Sequence, residues 1–488
     1  MSFTALDESY PTPYNYFPIC VHLGGFTTAT TTSMTNPEPP PDGGYGWVCT
    51  AAAAVVNMHS WGFSSAYAVF LAHYLAHDTF PGTTPLEYAF VGSLSIGCLF
   101  LVSPVTTVAT RRYGIRPTMF SGAVCEAVSL ICASFASRFW QIVLSQGVLF
   151  GFGLGLLFIP TAAVVPQWFT KKRSLASGVA VSGAAVGGAV YSLAAGAMIR
   201  TMGLAWSFRA LGIIAFVVNT GCVVLIRDRN TAIGVNQSAF HVALFKRLEY
   251  CLIIAFGVLT MLGYFILIFS LASYANYIGL DSSQAAVTSA IFNLGQAVGR
   301  PLAGYFSDRA GRINMAASMT LLAGIFPLCL WVASHCYGVL VTFAVVEGIF
   351  AGTFWATIAP VMAEVVGLQD AASGLNLMWL TLVVPSTFSE PVALSIVGGT
   401  GSYLGTELFT GFMYIGAAAC LWLLRGWKIG QIDAACMSPM TETSDVAVGD
   451  PEVAGNRDAS SSGLSGEKDL SRSSAVSYLW RCCMLKRV

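Results

Sequence analysis

Twelve apolar runs, each long enough to cross a lipid bilayer as a helix, dominate the chain. They lie at about 46–70, 87–109, 117–136, 140–165, 175–199, 205–226, 248–275, 284–306, 313–334, 338–365, 372–397 and 403–425. A hydrocarbon core about 30 Å thick needs roughly 20 residues at about 1.5 Å each. In lipid each backbone N–H and C=O must find its partner inside the protein, so runs of this length are read as helices. Composition agrees: of 488 residues, 55% are hydrophobic and only 10% charged, with a mean hydropathy of +0.68. A soluble domain carries about 25% charged residues. Lys plus Arg and Asp plus Glu both number 24, so net charge says nothing about acidic partners; the apolar composition makes the lipid bilayer the expected partner, with no nucleic acid. The expected fold class is therefore all-α integral membrane.

Basic residues orient the runs. Arg111, Arg112 and Arg116 lie between the second and third, and Lys171, Lys172 and Arg173 between the fourth and fifth. Arg227, Arg229, Lys246 and Arg247 occupy the central loop, Arg309 and Arg312 follow the eighth run, and Arg425 and Lys428 close the last. The alternate loops hold little beyond Arg138 and Arg200. The positive-inside rule then puts the even-numbered loops and both termini in the cytoplasm.

The two halves also repeat. Arg112-Tyr113-Gly114 matches Arg309-Ala310-Gly311, and Gly151 and Gly155 match Gly348 and Gly352 at the same offset. Two six-helix pseudo-repeats, 42–227 and 248–428 around a central loop 228–247, suit a secondary transporter with its site at the midplane. Residues 1–41, rich in Thr, Pro and Tyr without Lys or Arg, read as a disordered cytoplasmic tail, as do residues 429–488. The latter ends in Trp480-Arg481-Cys482-Cys483-Met484-Leu485-Lys486-Arg487, which suits either a soluble tail or a membrane-touching one. The thirteen cysteines fall mainly in apolar runs and read as small hydrophobes. No Gly-x-x-x-x-Gly-Lys-Ser/Thr loop is present to bind ATP. No cofactor or metal is expected.

One run carries a charge at depth. Within and just before Ile291–Arg312, the residues Ser289, Asn293, Gln296 and Arg300 recur at helical spacing on one face. Arg300 lies eight residues before Asp308, where the chain turns polar, so it sits roughly 12 Å below the surface. Such a charge marks a substrate pathway or a structural ion pair. Three carboxylates also fall inside runs. Glu126 and Glu347 are near mid-depth and Glu390 nearer the outside. Each is a candidate for proton coupling or a packed neutral acid. Asn57, Trp61, Ser64 and Ser65, with Asn376, Trp379, Ser386, Tyr264, Tyr274, Phe354 and Trp355, complete a weakly polar, aromatic set of candidate cavity residues.

Gly304-x-x-x-Asp308-Arg309-x-Gly311-Arg312 resembles the signature loop of the major facilitator superfamily. Physically it suits a conformational latch, the glycines allowing close approach and Asp308 meeting basic groups or a helix N-terminus. Its first-half copy, Thr107 to Arg116, is degenerate, with Arg111 where the aspartate belongs. Asp42-Gly43-Gly44-Tyr45-Gly46-Trp47 precedes the first helix, and Trp168 to Ala180, with Lys171, Lys172, Arg173 and Gly178, spans the fourth-to-fifth loop. Together these blocks resemble the monocarboxylate transporter family, in its fungal style, over residues 42 to 428. Their own chemistry points to packing and gating: Tyr45 and Trp47 suit interface anchors, and Gly183 and Gly187 suit tight helix packing.

The resemblance implies the major facilitator fold of twelve helices and a small-molecule substrate, a small organic anion. It also implies that Arg300, before Pro301, holds the substrate carboxylate, which a guanidinium fork matches. Proton-coupled members carry an aspartate where this chain has Gln296 and a lysine in register with Ser65. Neither replacement titrates near neutral pH. Glu347 is then the better partner for Arg300, or the protein is a facilitator or exchanger. A carrier of a larger or neutral metabolite, such as a secondary metabolite or vitamin, is the alternative, and a transporter-like sensor a further one. The resemblance implies the plasma membrane, with an organelle membrane as the alternative, and leaves open an ancillary membrane subunit.

Overall fold

The computed structural model describes residues 40–77, 79–234 and 240–444. The tail up to 39, the end of the chain with Trp480 to Arg487, and part of the central loop lie outside the described residues. Within them every regular element is helical. The helices are α1 (Tyr45–Ser65), α2 (Tyr67–Ala76), α3 (Pro85–Leu101), α4 (Ser103–Tyr113) and α5 (Ile115–Ala133). There follow α6 (Phe139–Trp168), α7 (Arg173–Leu225) and α8 (Leu248–Tyr277). The second half continues with α9 (Ser282–Ala310), α10 (Arg312–Trp331), α11 (Tyr337–Val365), α12 (Ala371–Thr400) and α13 (Leu404–Ser444). Single turns at Asn230–Ile233 and Val242–Lys246 interrupt the central loop.

Local chemistry sets the ends. Thr84 and Glu87 form a reciprocal capping box at α3, with Pro85 at the first helical position where no N–H is needed. Asp281 and Gln284 do the same for α9. Gly114 (φ 90) and Gly311 (φ 101) make the matching turns between α4 and α5 and between α9 and α10. These are the same repeat positions in the two halves, and only glycine enters that region without strain.

By length and apolarity, eight of the described helices can cross a membrane, or nine if the 43° bent pair Phe90–Leu101 and Ser103–Tyr113 counts as one span. The difference from twelve has identifiable sources. The 53 residues of α7 contain a break at Gly203 (φ 80, ψ 166), where the sequence separates two runs. The first run is divided at Ala66, and α9 is diluted by its own polar face. The helix α13 runs on to Ser444, so the segment 429–488, expected as a disordered tail, begins as helix.

Glycines set the tightest contacts. Gly183 and Gly187 of α7 lie against the backbone of Ala54 and Met58 in α1. Nearer the start of α7, Gly178 faces the backbone of Arg300 and Pro301, and Gly304 of α9 faces Ser174 and Leu175. Thus α7 packs against its own half and across to the other. Among the described cysteines, Cys49, Cys98 and Cys222 are buried, whereas Cys132, Cys329 and Cys336 are exposed.

Candidate functional site

Arg300 is the natural starting point because its position on α9 turns a charged side chain into the protein. It is 5% exposed. Its Nη2 donates to Gln296 Oε1 at 2.5 Å and to the Tyr264 hydroxyl at 2.9 Å, and that hydroxyl donates to Gln296 Oε1 at 2.8 Å. Nη1 donates to the carbonyl oxygen of Val181 at 2.6 Å. Val181 belongs to α7, so this bond crosses between the halves. Gly352 leaves the room: a Cβ there would lie 2.9 Å from Arg300 Nε.

Beside the guanidinium is a cavity whose polar edge is Asn57, Ser64, Ser65, Asn293 and Arg300. Its remaining wall includes Trp61, Phe158, Tyr264, Phe265 and Trp355. Asn57 Nδ2 donates to Ala180 O at 3.0 Å, while Asn57 Oδ1 and Trp61 Nε1 are buried without a hydrogen-bond partner. Such groups favour a polar ligand atom or water. A second, smaller space lies beyond Phe158 and Trp355 and is lined in part by Thr161, Ser177 and Trp379. Between the two spaces stands an aromatic layer drawn from both halves. Trp355 contacts Trp61 at 5.2 Å, Phe158 at 5.8 Å and Tyr264 at 5.8 Å between ring centroids. Trp379 stacks on Phe100 at 5.6 Å and meets Phe158 at 5.6 Å.

At the end carrying the basic loops, the motif residues converge on one turn. Asp308 accepts from the backbone N–H of Ser174 at 3.0 Å and Leu175 at 2.9 Å, so a carboxylate from α9 caps the start of α7 across the halves. Arg312 Nη2 donates to Thr170 O at 2.7 Å, and Arg312 lies 3.5 Å from both Asp308 and Glu364. From the other side, Asp42 accepts from the N–H of Thr170 at 2.5 Å and Lys171 at 2.8 Å. Tyr45 and Trp47 pack on Trp168 and Phe169 at 5.8 and 5.1 Å, so these rings clasp the loop rather than serving only as interface anchors. Gly46 permits this, since a Cβ there would lie 2.8 Å from that of Trp168. Gly43 and Gly44 (φ 57) carry the chain into α1. Arg173 Nε donates to Pro166 O and Phe169 O, Arg309 lies over the Tyr305 ring, and Lys171 and Lys172 are exposed.

A model of the Major Facilitator Superfamily matches residues 49–255 and 252–428. The chain belongs to the major facilitator superfamily. It is 32% identical over 406 residues to the probable transporter MCH2 of Saccharomyces cerevisiae, covering 81% of this chain and 85% of that one. It is 30% identical over 420 residues to the uncharacterized transporter ESBP6 of the same yeast, covering 83% of this chain and 62% of the relative. The fold also resembles a solved structure of the proton:xylose symporter XylE bound to 6-bromo-6-deoxy-D-glucose, at 13% identity with a TM-score of 0.61. That match covers 79% of this chain and 95% of the other. The protein is thus a multi-pass membrane transporter of the major facilitator fold, a superfamily of carriers and not of enzymes.

Within this major facilitator frame the expected residues sort clearly. Asn57, Ser65, Asn293 and Arg300 line the cavity, Gln296 holds Arg300 from behind, and Trp379 belongs to the aromatic layer. Asn376 lines neither space; its backbone carbonyl accepts from Ser103 Oγ at 3.2 Å between α12 and α4. Tyr274 also lies elsewhere, bonded to Ser334.

Glu347 is not the partner of Arg300. It is fully buried, yet neither carboxyl oxygen has a hydrogen-bond partner among the described residues. On α11 the residue facing Arg300 is Gly352, and five residues along a helix turn the side chain by roughly 140°. Glu126 accepts from Asn219 at 2.8 Å and Ser60 at 3.3 Å inside the first half, and Glu390 accepts from Ser270 at 3.0 Å inside the second. No group of three metal-ligating side chains occurs among the described residues.

Proposed function

We propose that this transporter carries a small organic anion by alternating access between its halves, with Arg300 receiving the carboxylate. The observation that supports this most is a buried guanidinium at a cavity edge whose hydrogen bonds all go to uncharged acceptors. A carboxylate offers two charged oxygens in place of those acceptors, with the geometry a guanidinium fork prefers. Asn57, Ser65 and Asn293 supply neutral polar contacts to the rest of the ligand, and the aromatic layer seals the path beneath it. The Asp308 cap and the Arg312 contacts then act as the latch of one closed end. In this reading the basic loops and both termini face the cytoplasm, the membrane is the plasma membrane, and twelve helices span it.

The test is uptake of labelled acetate, pyruvate and benzoate into proteoliposomes preloaded with the same unlabelled acid, by wild type and Arg300→Ala. Arg300-dependent uptake of any of the three supports the reading, and transport that ignores Arg300 sinks it. A second reading, a larger aromatic or neutral metabolite, is favoured by the rings of Trp61, Phe158, Tyr264 and Trp355 around the site. Benzoate carried in preference to acetate would move the assignment in that direction.

A further inference from the structure

Among the described residues Arg300 is answered only by dipoles. The acceptors it uses are the Val181 carbonyl, the Tyr264 hydroxyl and the Gln296 amide, and no carboxylate bonds it among the described residues. Two obstacles follow for a carrier that tries to turn over empty. First, a fixed cation without a counter-charge must pass through the least polar stage of the cycle, when neither end is open to water. Second, the bond from Nη1 to Val181 joins α9 to α7, and the halves cannot part there until it breaks. Breaking it with nothing in exchange leaves a buried, charged donor unpaired, while the Val181 carbonyl keeps its place in the helix.

A bound carboxylate removes both obstacles. It neutralises the guanidinium, and one of its oxygens accepts the Nη1–H hydrogen bond in place of Val181, releasing α7 from α9. Resting on the carboxylate reading given above, we propose that this protein is an obligatory exchanger of organic monoanions: it reorients loaded in each direction and stalls when empty. Gln296 is the residue that sets this behaviour. It lies 2.5 Å from Nη2, within ion-pairing distance, but its amide brings no charge. A carboxylate there would supply the missing counter-ion and let the empty carrier return. Glu347, Glu126 and Glu390 do not fill that role, since none bonds the guanidinium.

The experiment uses the full chain in proteoliposomes, with labelled pyruvate and benzoate as probes. Vesicles are either empty of acid or preloaded with the same unlabelled acid. Uptake into preloaded vesicles at least tenfold faster than into empty ones, with no accumulation driven by an inward proton gradient, is the expected result. Gln296→Asp is expected to raise uptake into empty vesicles toward the preloaded rate. Gln296→Leu, which removes the acceptor without adding charge, is expected to remain strictly exchange-dependent. Equal wild-type uptake into empty and preloaded vesicles would overturn the exchange proposal while leaving carboxylate transport standing. Failure of both acids under both conditions would instead remove the carboxylate reading and exchange with it. The wild-type comparison decides the matter even where a variant does not fold.

Discussion

A guanidinium held by neutral acceptors binds its ligand by swapping partners, and the strength of each swap is measurable side chain by side chain. Arg300→Lys keeps the charge but replaces a planar fork with a point donor that cannot reach Val181, Tyr264 and Gln296 together. Hydrogen bonds to charged groups contribute about 1.5–3 kcal/mol. Arg300→Lys is therefore expected to lower the ratio of maximal uptake rate to half-saturating concentration by roughly 10- to 100-fold. Tyr264→Phe removes one acceptor while Gln296 stays in place, and a smaller loss, about threefold to tenfold, is expected. Initial uptake rates over a range of benzoate or pyruvate concentrations would check both. A lysine variant indistinguishable from wild type would remove the fork from the account. The arginine itself was legible from its depth in an apolar helix. Its partners were not, because Val181 contributes only a carbonyl, which no residue type signals.

At the scale of elements, glycines of α7 and α9 do two different jobs that one substitution each can separate. Gly183 meets α1 inside its own half, whereas Gly304 meets Ser174 and Leu175 across the halves. Gly183→Val is expected to lower the thermal midpoint of the detergent-purified protein, since overpacking costs about 1–3 kcal/mol. Gly304→Val is expected to leave that midpoint nearly unchanged and to open the end bearing the basic loops. Asp308→Ala should act in the same direction as Gly304→Val, because it removes the cap from the N–H groups of Ser174 and Leu175. Losing a cap costs about 1 kcal/mol, a shift of roughly fivefold in the balance of states. Labelling of a single introduced cysteine at Ser177, from that end, would report it. Equal labelling in wild type and Asp308→Ala would refute the latch. Sequence spacing announced Gly304 and Asp308 as a motif and Asp42 to Trp47 as another. That both grip residues 168–175 from opposite sides is a tertiary fact, invisible to a reading of either block alone.

For the molecule as a whole, a ligand that joins both halves ought to stabilise their assembly. At about 100 times its dissociation constant a ligand adds about 2.7 kcal/mol. A transported acid should accordingly raise the melting temperature of wild type and not of Arg300→Ala. The all-helical membrane plan could be read from the apolar runs, because lipid leaves the backbone few alternatives. The placement of Glu347 could not. Depth along α11 follows from counting residues, but which way the side chain faces depends on how that helix packs against α9. The same holds for Phe100 and Phe158. Their contacts with Trp379 and Trp355 make the layer, yet in the sequence they are two phenylalanines among 31. Arg300 has one more property, which belongs to the bilayer rather than to the substrate. A unit charge crossing a potential of 100 mV changes its energy by about 2.3 kcal/mol, and a guanidinium without a counter-ion feels its share of that field as the halves move. The resting voltage of a living membrane, negative inside, therefore raises a further barrier against an empty return in one direction, while the carrier holding a monoanion is electrically silent. Exchange of one loaded form for the other is then expected to proceed at the same rate whatever the membrane potential.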